Sequence, residues 1–223
     1  MNTTSLRPEF FELHNGSKSP LPFSTGEYDR RLAALRQLMV SKGLRAVLLT
    51  SMHNVAYYSG FLYCSFGRPY ACVVTETECT TISANIDLGQ PWRRSYGDNL
   101  IYTDWQRDNY WRAVSHVLPD VDIVGIEGDH FTLASHRKLK SFHANLKIND
   151  ISSEIMSLRM VKSEEEIDLI KGGAFIADIG GGAIRDAIRS GVREIDVAMA
   201  GRDAMELAIA EHYPNSEIRD TWV

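Results

Sequence analysis

Cysteine is scarce in this 223-residue chain, with only Cys64, Cys72 and Cys79. An odd count without a C-x-x-C pair suits neither a disulfide framework nor a cysteine-rich metal module. The three read as reduced thiols, with Cys72 in a strand interior. No apolar run nears the ~18 residues that a membrane helix needs. Residues 1–19 also lack the apolar stretch of a signal peptide. Cytoplasm is therefore the expected compartment, and no membrane partner is expected. Strong charge is missing too: 24 Lys and Arg stand against 29 Asp and Glu, a net charge of -5. That balance disfavours a nucleic-acid partner. The seven histidines include no H-x-x-x-H or H-E-x-x-H, so no metal site is expected. Gly172-Gly173 and Gly180-Gly181-Gly182 are not followed by Gly-Lys-Ser/Thr, and their spacing is not G-x-G-x-x-G. Phosphate binding is thus not read from them, and close helix packing is the expected reason for glycines that otherwise weaken a helix. No repeat or low-complexity segment is present.

What the chain does contain is an alternation of helix and strand patterns. Residues 1–19 form an arm with mixed polar residues. Ser24-x-x-Glu27 matches a capping box, followed by Tyr28, Leu32, Leu35 and Met39 at helical spacing and by Gly43 as a stop. Ala46–Thr50 reads as a buried strand parallel to its neighbours, because both faces are apolar. A short helix over 52–59 comes next, then strands at 71–74 and 80–83 joined by the acidic turn 76–78. A helix is expected at 90–95, a strand at 101–102, a helix at 107–118, a strand at 123–126, a helix at 132–143 and a strand at 146–148. The alternation predicts an α/β layered domain over 20–155. Beyond it, 156–223 reads as a linker and two helices. The first is opened by the capping box Ser163-x-x-Glu166 and the second spans 194–211. Asp220–Val223 resembles a strand just starting, so the helical pair reads as the incomplete start of a further domain.

Tyr57–Tyr70 is the chemically distinctive stretch. It is rich in aromatics and holds one charge, Arg68, between Gly67 and Pro69. Gly67 permits backbone conformations that other residues resist, and Pro69 pushes Arg68 towards an extended conformation. A guanidinium presented this way suits a planar anion such as a carboxylate, which it grips through two parallel hydrogen bonds. The alternative is an arginine stacked on Tyr or Phe at a structural turn. The runs Trp92–Tyr96 and Asp104–Arg112 mix aromatics with arginines, and the second sets two Asp against two Arg. They suit a salt-bridged surface or a subunit interface better than a nucleic-acid site.

Ser51–Tyr70 closely resembles the creatinase family, the creatine amidinohydrolases. The likeness continues through Ser83–Asp87, Gln90–Tyr96, Tyr102–Trp105, Arg107–Ala113, Gly125–His130 and Leu158–Ser163, and on to Asp220–Val223. These stretches set it apart from the related prolidases and methionine aminopeptidases. The resemblance implies a layered N-terminal α/β domain of creatinase/prolidase type, followed by the first helices of an α+β pita-bread domain. It implies hydrolysis of creatine to sarcosine and urea, with no metal and no cofactor, by a homodimer. It assigns substrate binding to Phe66 and Arg68, which reach the partner subunit's site, where the arginine takes the creatine carboxylate. It places no catalytic residue within this chain, since the acid-base groups of that family match positions after Val223. A non-catalytic binding or dimerisation module is the alternative expectation.

Overall fold

Ala46–Leu49 (β2) is buried along its whole length, and the sheet is built outward from it. The computed structural model describes residues 7–62 and 67–215, apart from the Trp105 side chain. The remaining strands are Phe10–Phe11 (β1), Ala71–Thr75 (β3), Cys79–Ala84 (β4), Asp98–Tyr102 (β5), Ile123–Ile126 (β6) and Lys147–Asp150 (β7). They form one mixed sheet in the order β1-β5-β4-β3-β2-β6-β7. β2 runs parallel to β6 but antiparallel to β3. The parallel expectation therefore held on one side only. An acidic turn returns β3 directly into β4, which leaves β3 opposed to β2. Burial on both faces comes from helices above and below, whatever the strand direction.

The helices of this layer are Thr25–Ser41 (α1), Met52–Ser59 (α2), Asn109–Val117 (α3), Leu133–Phe142 (α4) and Ser152–Met160 (α5). α1 begins where predicted, the Ser24 side chain accepting the Glu27 N–H. Its stripe of Leu32, Leu35 and Met39 joins Val47, Leu49, Val55 and Ile155 in one core. The opposite face packs Leu48, Val73, Ile82, Tyr110, Val114 and Leu139. Two apolar layers on a central sheet give the α/β class.

Two features depart from expectation, and a third, in the N-terminal arm, sharpens it. Residues 90–95 make a single turn and no helix. The Ser95 hydroxyl bonds the Pro91 carbonyl and reaches Thr81, so local side-chain bonds replace a second helical turn. The arm contributes β1, whose Phe10 and Phe11 pair with Tyr102 and Ile101. Helix α5 runs across the boundary expected at residue 155 into the segment read as a linker, and its Ile155 is fully buried. The chain divides into two compact units between Val161 and Lys162.

The second unit contains Glu164–Ala187 (α6) and Glu194–His212 (α7). Ser163 and Glu166 form the complete capping box at the start of α6. Gly180 faces Met205, and Gly201 faces Ile184; a Cβ at either glycine would lie 2.5 Å from that neighbour's side chain. Gly173, Gly181 and Gly182 have open space instead. Close packing thus accounts for part of the glycine pattern. No helix among the described residues is long and apolar enough to cross a membrane. Asp220–Val223 and Cys64 lie outside the described residues.

Candidate functional site

The segment carrying Arg68 leaves the layer at the end of α2. Ser51 caps that helix by accepting the Asn54 N–H. Gly60 ends it with φ 75°, a left-handed conformation that favours glycine. A Cβ there would also lie 2.8 Å from the Tyr28 hydroxyl oxygen. Ser59 fastens the exit: its carbonyl accepts the Tyr96 N–H at 2.7 Å, and its hydroxyl donates to the Val55 carbonyl. Phe61 is buried and meets Tyr70 edge to face, with centroids 6.4 Å apart.

The described backbone resumes at Gly67, which has φ 73° and open space around it. Arg68 is half-buried. The carbonyl of Pro69 accepts a hydrogen bond from the Tyr102 hydroxyl at 2.7 Å. Tyr70 is buried and leads into β3. Phe66, the other residue assigned by resemblance, lies outside the described residues.

Arg68 lines a cleft of about 340 Å³ with Thr50, Tyr70, Trp111, His130 and Lys138 among its neighbours. The cleft opens beyond the carboxyl ends of the parallel strands β2 and β6, where α/β sheets commonly place ligands. Thr50 Oγ1 and His130 Nδ1 lie 2.9 Å apart. Lys138 Nζ bonds the Asp108 carboxylate at 2.6 Å. Tyr110, at the cleft floor, has its phenol pKa pushed well up by burial. Chemically, this arrangement offers cationic nitrogen beside aromatic walls. It suits a small planar anion better than proton transfer. His130 bonds a threonine hydroxyl, so the Asp129-His130 sequence does not by itself make an acid-base pair.

Beneath the cleft, Glu127 is 1% exposed. Its carboxylate accepts the backbone N–H groups of Thr50 and Ser51, the Ser51 hydroxyl and the Asn54 side-chain amide. Arg159 of α5 donates to Asn54 Oδ1 at 3.0 Å. One buried acid therefore ties the end of β6 to the start of α2 and, through Asn54, to α5. The sequence offered one signal for it: an acid directly after a four-residue apolar strand.

A second opening of about 390 Å³ involves His14, Lys18, Arg36, Cys79 and Trp92. Its lysine and arginine bond backbone carbonyls. Lys18 donates to the Ser95 and Gly97 carbonyls and lies 5.0 Å over the Trp92 ring. Burial holds its pKa below the usual lysine value. Arg36 donates to the Thr75 and Glu78 carbonyls. The run Trp92–Tyr96 thus fastens the N-terminal arm, and Arg112 pairs with Glu9 to the same effect. Among the described residues, no three His, Cys, Asp or Glu side chains gather as a metal site.

Residues 31–161 match the Creatinase/Prolidase N-terminal domain family. A creatinase of Bacillus sp. is 50% identical over 216 residues, covering 95% of this chain and 53% of that protein. An uncharacterized hydrolase/peptidase of Sinorhizobium fredii is 28% identical, over 81% of this chain and 50% of that protein. Among solved structures, an X-Pro aminopeptidase from Thermotoga maritima matches with a TM-score of 0.67 at 22% identity, covering 79% of this chain and 49% of that one. The chain spans about half the length of the curated relatives it matches.

Proposed function

This chain belongs to the Creatinase/Prolidase N-terminal domain family, and from that premise we propose that it is the N-terminal part of a creatinase. The enzyme hydrolyses creatine to sarcosine and urea in the cytoplasm as a homodimer. Residues 20–155 form the layered domain, and 156–223 lead into the pita-bread catalytic domain. The acid-base groups reside in the half of the relatives' length that this chain does not span. Arg68 supplies the clamp for the creatine carboxylate, with Phe66 beside it, and serves the partner subunit's site.

The observation that carries this reading is the 50% identity to a protein named creatinase, against 28% to a hydrolase/peptidase of the same family. The placement of Arg68 in a cleft with aromatic walls is compatible with it. The guanidinium supplies two donors that match a carboxylate in one plane. Such a bond holds substrate and transition state alike, so its loss acts mainly on KM.

The test joins this chain to the C-terminal half of the Bacillus sp. creatinase and measures urea release from creatine. Creatine-dependent turnover is expected. Arg68→Ala should raise KM roughly tenfold to a few hundredfold, as loss of a charge-assisted bond does. Absence of urea from the unsubstituted fusion sinks the creatinase reading. An unchanged KM in Arg68→Ala removes Arg68 from the site.

A further inference from the structure

Arg68 stands between two unlike neighbours. On one side is Gly67, in the left-handed region, where an added Cβ would meet no described atom within 4 Å. On the other is Pro69, whose carbonyl is fastened by the Tyr102 hydroxyl at 2.7 Å. Proline has no N–H, so this carbonyl is its one backbone group available for hydrogen bonding. The donor is rigidly mounted. Tyr102 closes β5, is 1% exposed, and sits in register between Ala84 of β4 and Phe10 of β1. Tyr110 meets its ring edge to face, with centroids 5.5 Å apart.

We infer that Tyr102 is a positioning residue for Arg68, transmitting the geometry of the sheet to the guanidinium through the Pro69 carbonyl. The inference rests on the proposed role of Arg68 as a carboxylate clamp. A two-point guanidinium–carboxylate pair depends on angle as well as distance, and a small displacement of the backbone carrying it weakens both bonds at once. The aromatic ring of Tyr102 serves the core. Its hydroxyl serves the Arg68 segment, so the two roles can be separated by removing one oxygen.

Tyr102→Phe retains the ring and deletes the fastening bond. In the fusion enzyme it should raise KM for creatine roughly three- to tenfold, with kcat changed by less than about twofold. In an Arg68→Ala background the same substitution should change nothing further, because the group it positions is gone. A second measurement uses this chain by itself. Amide hydrogen exchange at Arg68 and Tyr70 should quicken in Tyr102→Phe, while exchange at Val73 inside β3 stays as it was. An equal effect of Tyr102→Phe with and without Arg68 overturns the positioning role alone and leaves the clamp intact. Unchanged exchange at Arg68 and Tyr70 overturns it as well. An Arg68→Ala enzyme with unaltered KM strikes the clamp itself.

Discussion

The Glu127 carboxylate, at the end of β6, accepts the Ser51 backbone N–H at 2.9 Å. Ser51 is also the N-cap of α2. One buried acid thus sets where the helix leading to Arg68 begins.

Glu127→Ala should therefore cost about 3 kcal/mol of unfolding free energy, because four hydrogen bonds to one buried carboxylate are lost together. Glu127→Gln should cost less, since the amide oxygen still accepts. Urea denaturation of the three proteins checks this. A loss below about 1 kcal/mol for the alanine variant would contradict the anchoring role.

Glu27 gives a pH dependence. Hydrogen bonding to Arg30, and then to Arg31, holds its pKa at about 2, below the ordinary 4.5. A carboxylate whose folded pKa is depressed stabilises the fold above its unfolded value. That contribution is present above about pH 4.5 and is lost as pH falls towards about 2. Allowing for the half-exposed Arg30, its size is about 2 kcal/mol. Comparing unfolding at about pH 6 and about pH 3 should show this loss in the native chain and a smaller one in Glu27→Gln. Equal slopes in both proteins would refute the assignment.

The glycines of α6 should separate by position. Gly181 has open space where a Cβ would stand. Gly181→Ala should therefore raise stability by up to about 0.8–1.0 kcal/mol, the helix propensity difference. At Gly180 the added methyl meets Met205. Gly180→Ala should then gain less or lose stability, as overpacking does. Thermal unfolding of the two variants decides the order. A Gly180→Ala variant more stable than Gly181→Ala would reject this packing account.

Cys72 should be slow to react. Its Sγ lies 3.5 Å from that of Cys79, and the side chain is fully buried. The bond to Cys79, together with burial, pushes the Cys72 thiol well up. Iodoacetamide should label it at least about tenfold more slowly in the folded chain than in urea. Peptide mass spectrometry gives the two rates, and similar rates would show the thiol to be accessible.

Much of the fold was legible locally. The Ser24 and Ser163 caps, the apolar stripe of α1 and the β3–β4 turn are short-range patterns, and each stands where its residues indicate. Features that depend on distant partners were not legible. Phe10-Phe11 has no strand pattern of its own and becomes a strand only by meeting β5. Glu127 looked like an ordinary acid after a strand, because its partners lie more than seventy residues away. Arg68, the proposed clamp, stands out in the sequence through its glycine and proline neighbours. Tyr102 could not, since nothing in its own surroundings in the sequence points to Pro69.

The two margins of the sheet have a consequence for assembly. Among the described residues β1 offers two residues for further pairing, and the four-residue β7 begins with exposed Lys147 and ends with exposed Asp150. Neither margin provides a long, flat, apolar ladder onto which a stranger's backbone could lock. Growth into fibrous stacks is thereby discouraged at both sides. In the proposed homodimer, the second copy is then expected to meet this chain through side chains and loops.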